Sequence, residues 1–190
     1  MTKVRKSISG GPVLINLTHD IDLMRYLIGE IESVYSFESN ANRKGKVEDS
    51  AAVSLRFKNG AIGTLSISDT ILAPWSWEHT SGENPIYPNQ KESCYWIGGT
   101  HGSLELPKLK SWQSLNERSW WKPIYSNQSR TYKNINQPLS AQLENFISVV
   151  QGKAEPVCSG EDGLKTLLVI EAIKSSAKIE KAVKPKKIQI

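Results

Sequence analysis

The sequence predicts an α+β fold: an open, largely antiparallel (mixed) β-sheet with helices packed on one face. Three observations carry this. An amphipathic helical pattern stands near the start, strand patterns joined by Gly-containing turns follow, and two helical patterns come last. No alternating βαβ order is present, so the chain is expected to lack a Rossmann nucleotide-binding half. Its 190 residues, 38% hydrophobic and 23% charged, suit one globular domain over 9–190 behind a basic tail, 1–8.

The elements can be justified in order. Gly10-Gly11-Pro12 is a turn signal before a helix. From Ile15 to Gly29, Leu17, Ile21, Met24 and Ile28 fall at helical spacing and predict one buried stripe. A second stripe, Asn16, His19, Asp20, Leu23 and Tyr26, mixes polar with apolar groups, and Gly29 suits the helix end. Val34 to Ser39 reads as a strand, with Tyr35 and Phe37 alternating against Ser36 and Glu38. Ala51–Phe57 and Ala61–Ser68 read as a hairpin through Lys58-Asn59-Gly60. A two-residue loop would oppose Leu55 to Thr64, apolar against polar. A three-residue loop with Gly60 in the left-handed region opposes Leu55 to Gly63 and Val53 to Leu65, so the bulged hairpin is expected.

Residues 72–90 read as a long irregular loop, rich in Pro, Gly and Asn, with Trp75 and Trp77 embedded. Glu92–Ile97 and Ser103–Leu106 read as a strand pair around Gly98-Gly99-Thr100-His101-Gly102. Residues 107–136 give no clear element. A helix is expected from Pro138 to Val150, with Leu139, Leu143, Phe146, Ile147 and Val150 on one side. A last helix should start at Ser159 or Gly160 and reach about Ala177, with Leu164 and Leu168 in the core and Glu161 and Asp162 in its first turn. Lys187–Ile190 could add an edge strand.

Composition excludes several classes. The formal charge is +5. Nine Lys and Arg against Glu180 give the two tails, 1–6 and 174–190, a charge of +8, while 7–173 carry fifteen against eighteen, −3. Basic ends on an acidic body do not make the basic stripe of a nucleic-acid surface. No apolar run approaches a membrane span and no signal-peptide stretch follows the N-terminus, so no membrane association and a cytoplasmic location are expected. Cys94 and Cys158 make no disulfide framework. His79, Cys94 and His101 match no zinc-ligand spacing, so no metal site is expected. The 98–102 turn lacks phosphate-loop spacing, and neither a Gly-x-Ser-x-Gly elbow nor a His-Glu-x-x-His pair occurs.

Several segments together resemble one family. Gly10-Gly11-Pro12 leading to His19-Asp20-Ile21-Asp22-Leu23 is similar to the "GG…HDiDl" opening of the C-terminal domain of the Gfo/Idh/MocA oxidoreductases. Val47-Glu48-Asp49-Ser50-Ala51 with Phe57-Lys58-Asn59-Gly60-Ala61 is similar to that domain's first long hairpin. Gly99-Thr100-His101-Gly102-Ser103-Leu104 resembles its "GTkGsl" turn, and Pro156 with Ser159-Gly160-Glu161-Asp162-Gly163-Leu164 the start of its last helix. The matches run in family order over most of 9–177.

The resemblance implies a function. Such enzymes join an NAD(P)-binding Rossmann domain to a C-terminal domain that contacts a sugar or cyclitol and forms the oligomer interface through its sheet. This chain would then be the substrate-binding and oligomerisation domain of an NAD(P)-dependent dehydrogenase, binding no cofactor alone and not turning over alone. The alternative is a stand-alone binding or scaffolding protein that kept the domain. The family's Gly-rich loop and catalytic Lys-Pro are missing: Lys122-Pro123 and Lys184-Pro185 follow no Glu and no Rossmann strand, so neither inherits that role. Many members place an Asp four residues before the His, where this chain has Ile15; Asn16 stands three before it, as in the "NL-x-H" branches.

His19 is the expected catalytic residue, an imidazole able to take a hydroxyl proton near neutral pH. The other reading is a helix-start His bonded locally to Asp22 or the backbone. Asn16 and Asp20 share its stripe and are expected to bind substrate. Trp75, Trp77 and His79 are also candidate substrate contacts, since indole faces suit sugar C–H surfaces; the same residues equally suit packing of the loop onto the sheet. His101 reads as a solvated turn residue. A homo-oligomer through the sheet face is expected, because an open sheet would otherwise expose Leu65 and Ile67.

Overall fold

Glycine, proline and the apolar period decide where the first helices start and stop. The structure, a computed structural model, describes residues 10–114, 118–128 and 137–187. The tail 1–8 lies outside them, as does nearly all of the strand expected at 187–190. Pro12 occupies the first turn of a short helix α1, Pro12–Ile15, and Asn16 breaks it from α2, Leu17–Leu27. The single helix read from Ile15 is therefore two. Leu17 and Ile21 are buried, and Met24 and Ile28 pack against the same core, as their spacing requires.

Three antiparallel strands follow in the order β1 (Ile31–Ser39), β2 (Ser50–Phe57) and β3 (Ile62–Ser68). The β2–β3 register pairs Leu55 with Gly63 and Val53 with Leu65. The Phe57 N–H donates to Ala61 O across 2.9 Å, and Gly60 sits at φ +89°. This is the bulged hairpin that apolar alternation demands. Asn59 fastens it from outside, donating through Nδ2 to Ile28 O at the end of α2 (2.8 Å).

The last helix, α5 (Gly160–Ile179), begins at a capping box: the Ser159 hydroxyl accepts from Asp162 N, and Asp162 Oδ2 accepts from Ser159 N. It packs on β1 and α2. Val169, Ile170 and Ile173 meet Val13, Leu17, Ile21, Val34, Val53, Leu55 and Phe57 in one core. Burying each large aliphatic chain there stabilises the fold by about 1.5–3 kcal/mol. Leu164 and Leu168 are not its anchors: Leu164 is exposed, and Leu168 only half-buried.

Hydrogen bonds as well as apolar alternation decide the faces of this sheet. On β1 the buried residues are Ile31, Val34 and Ser36, while Phe37 is exposed. Ser36 is tolerated inside because its Oγ donates to Ile173 O at 2.6 Å and its N–H donates to Ser176 Oγ at 3.1 Å. Leu65 and Ile67 face the core and are partly buried, so they are not the exposed patch expected of the open sheet face. That outer face instead carries Phe37, Ser54, Ile62, Thr64 and Ser66.

The described residues gather into two compact units, the first running to Ile71 and resuming at Val157, the second spanning Leu72–Pro156. The second holds a short helix α3 (Trp77–Thr80), an antiparallel sheet ordered β4 (Tyr95–Gly98), β5 (Gly102–Leu106), β6 (Lys110–Gln113), β7 (Tyr125–Gln128), and helix α4 (Pro138–Val150). β6 and β7 lie where the sequence shows no clear pattern. α4 has its expected bounds, but Leu139, Leu143, Phe146, Ile147 and Val150 are all exposed. Among the described residues every strand pairing is antiparallel, and no helix is long and apolar enough to cross a membrane.

Candidate functional site

The break between α1 and α2 brings Asn16 and His19 together on one turn, where the His19 N–H donates to Asn16 O across 3.2 Å. Asn16 and His19 are exposed and Asp20 is half-buried. The stripe therefore presents a carboxamide, an imidazole and a carboxylate at the start of α2, away from the core stripe. Asp22, the local partner that could have explained His19 structurally, is engaged elsewhere: its Oδ1 accepts from Thr166 Oγ1 (3.0 Å) and faces Arg25 Nη1 at 3.5 Å. Among the described residues the His19 ring has no hydrogen-bond partner.

What fixes α2 lies on its other side. Arg25 is buried and spreads its guanidinium over Glu30 (Nη2 to Oε1, 2.8 Å), Thr166 Oγ1 (2.8 Å) and Asp162 O (2.9 Å). Burial opposes its charge, but the hydrogen bond and charge of Glu30, with the charges of Asp22 and Asp162, outweigh it and hold Arg25 above its ordinary pKa. The same bond draws Glu30 below the usual carboxylate range. Asp162 is held low by the Ser159 hydroxyl and N–H.

A second polar cluster supports α1. Glu48 is buried; its Oε1 accepts the Val13 N–H at 3.0 Å, and its Oε2 receives Lys174 Nζ at 2.6 Å. Lys174 also reaches Glu38 Oε2 at 2.8 Å. Burial raises Glu38 despite this contact, and its Oε1 has no hydrogen-bond partner. Burial opposes the Lys174 charge, yet the two carboxylates raise it. A Cβ on Gly11 would overlap the Glu48 carboxylate. Beside Glu48, Asp49 is buried and accepts from the N–H groups of Arg43 (2.9 Å) and Asn42 (3.0 Å), which lower it. Sequence reading quoted Glu48 and Asp49 as a motif without seeing these roles. The available signal was a buried-type strand entry carrying two adjacent acids.

Trp75, Trp77 and His79 belong to the second unit. Ser76 caps α3, its Oγ accepting from the His79 N–H at 3.3 Å. Trp77 is half-buried, donates through Nε1 to Glu83 Oε2 at 2.8 Å and lies 5.9 Å from the Tyr95 ring. His79 stacks edge-on to Tyr87 at 5.8 Å, and its Nδ1 is buried without a partner. Trp75 alone of the three is largely exposed, at 66%. Trp77 and His79 thus have packing partners within their own unit, whereas Trp75 is exposed.

The glycine turn is not of the dinucleotide-binding kind. Gly98 to Gly102 link the antiparallel strands β4 and β5, with the Gly99 N–H donating to Gly102 O at 2.8 Å, so this glycine turn opens no helix. Pyrophosphate recognition needs a Gly-rich turn at the N-terminus of a helix after a parallel strand, and the described residues build none. Among them no group of three or more His, Cys, Asp and Glu is gathered for a metal. The shallow hollow between Glu38 and Lys174, Ser175, Ala177 and Lys178 does not include His19.

A family model described as the oxidoreductase family, C-terminal alpha/beta domain, matches residues 3–184. The chain is 26% identical over 166 residues to the D-apiose dehydrogenase of Rhizobium rhizogenes, covering 84% of this chain and 44% of that protein. It is 27% identical over 186 residues to the myo-inositol 2-dehydrogenase of Thermotoga maritima, covering 93% of this chain and 50% of that one. The chain thus spans about half the length of the curated relatives it matches. The fold is shared with levoglucosan dehydrogenase solved with NADH (TM-score 0.68, 22% identity, 97% of this chain and 53% of that one). It is also shared with the WlbA dehydrogenase of Bordetella pertussis in complex with NADH and UDP-GlcNAcA (TM-score 0.64, 23% identity, 95% and 46%). With nearly its whole length matched, the chain belongs to the Gfo/Idh/MocA oxidoreductase family, as that family's C-terminal alpha/beta domain.

Proposed function

We propose that this chain is the substrate-binding half of an NAD(P)-dependent dehydrogenase acting on a carbinol group of a sugar or cyclitol in the cytoplasm. The observation that carries the reading is His19: an exposed imidazole at the start of α2, with Asn16 and Asp20 on the same face and Asp22, one turn on, already engaged by Thr166. In this role His19 Nε2 or Nδ1 accepts the substrate hydroxyl proton, a contribution of about 10²–10⁴ in rate. Asn16 orients a neighbouring hydroxyl, as donor or acceptor, without adding charge. Asp20 accepts from another. Trp75 offers its face to the sugar. The dinucleotide is held by a Rossmann half that the described residues do not contain. The relatives' names and the NADH complexes of the structural neighbours support the substrate class and the cofactor.

The test is to fuse the chain to its own nucleotide-binding half and screen sugars and polyols for NAD(P) reduction. Substrate-dependent turnover that falls at least about a hundredfold in His19→Ala supports the reading. Full turnover in that variant removes His19 from the mechanism. Ligand binding with no turnover in the fusion favours the non-catalytic binding protein instead. We further propose self-association through the outer face of β1–β3, where Phe37 and Ile62 are 62% and 82% exposed. Light scattering that finds a monomer throughout would end that part.

A further inference from the structure

We infer that Glu48, clamped by Lys174, is a positioning residue for His19. The inference rests on the reading of His19 as proton acceptor, and deepens it. Glu48 stands at the entry to β2, far from His19 in sequence, but its carboxylate controls the backbone from which the His19 turn grows. Oε1 accepts the Val13 N–H in the first turn of α1. The next links are all backbone: Asn16 N–H to Pro12 O at 2.9 Å, then His19 N–H to Asn16 O at 3.2 Å. Gly11 gives the carboxylate room, since a Cβ there would overlap it. Lys174 holds the other oxygen from α5, at 2.6 Å. The carboxylate is thus fixed by two elements and in turn fixes where α1 begins. A four-residue helix has too few internal bonds to hold its own direction. Its start is set from outside, and its end is Asn16.

A packing role alone predicts something different. Among the described residues Glu48 makes no hydrogen bond or ion pair to α2, so its loss should loosen α1 and leave α2 anchored through Arg25. The effect should then reach His19 selectively.

Side-chain NMR of the chain itself provides the test, because only three histidines are present. In Glu48→Ala the Val13 amide should exchange at least about tenfold faster, the scale of losing a hydrogen bond to a charged group. The His19 imidazole cross-peaks should move, while those of His79 and His101 stay. Glu48→Gln, which keeps an acceptor oxygen at the same reach, should restore most of both signals. Lys174→Met should move them in the same direction by less. His19 peaks unmoved while Val13 exchange accelerates would overturn the inference, as would movement of all three histidines together. Should Glu48→Ala fail to fold, Lys174→Met carries the test, and a silent result there overturns it. Failure of the underlying reading looks different: His19→Ala then keeps full turnover in the fused enzyme, whatever the NMR signals do.

Discussion

The two compact units differ in where their apolar side chains go. Among the described residues, every fully buried aliphatic or aromatic side chain lies in the first unit, on α1, α2, β1, β2 and α5. The second unit exposes Trp75, Trp96, Trp120, Trp121 and the apolar side of α4, and β7 is exposed throughout. The first unit is therefore held by a dry core plus buried charge networks. The second is held by strand ladders, loop hydrogen bonds and half-buried rings. The candidate proton acceptor sits on the unit with the core, as a site that needs fixed geometry should.

The comparison breaks most easily in the core. Ile173→Ala should cost about 2–5 kcal/mol in denaturant unfolding, because Ile173 is fully buried on α5 within the core cluster. A loss below about 1 kcal/mol would mean the first unit is less tightly packed than described. Next comes Arg25→Met, which removes hydrogen bonds to Glu30, Thr166 and the Asp162 carbonyl. About 2 kcal/mol is expected by the same measurement, reduced from a fully buried pair because its carboxylate partners are partly exposed.

Acid should act on the first unit as well. Asp49, Asp162 and Glu30 have folded-state pKa values below their unfolded ones. Their stabilisation is complete above the unfolded values, near 4, and is lost as pH falls through the lower folded ones. Glu38, raised by burial, works the other way and makes the loss partial. Unfolding measured at a series of pH values should show a decline that starts near pH 4 and is shallower in Asp162→Asn. The smallest effect belongs to the second unit: Ile147→Ala on α4 should stay within about 0.5 kcal/mol. A larger cost would show that this side of α4 is covered in solution.

Legibility in the sequence followed the strength of the local period. The 57–61 hairpin could be registered to the residue, because apolar alternation selects the three-residue loop over a two-residue Asn-Gly turn. The last helix announced its start through Ser159 and Asp162. β6 and β7 stayed hidden, since Lys110-Ser111-Trp112-Gln113 and Tyr125-Ser126-Asn127-Gln128 show little apolar alternation. The buried face of β1 was not legible, because Ser36 is buried by hydrogen bonds to α5, and such partners leave no period. At the site, spacing alone grouped Asn16, His19 and Asp20. It could not show that Asp22 turns to Thr166, or that Glu48 reaches Val13. Those are contacts between distant segments, and only the folded chain displays them.

Gly11 and Glu48 leave a mark on how this sequence can change. A methyl group at position 11 collides with an acid supplied from the loop that enters β2. The two positions are therefore locked into an order of substitution: the acid must shrink first, and only then can the glycine grow. Read in relatives, a bulkier residue at the first site should travel with a shorter one at the second.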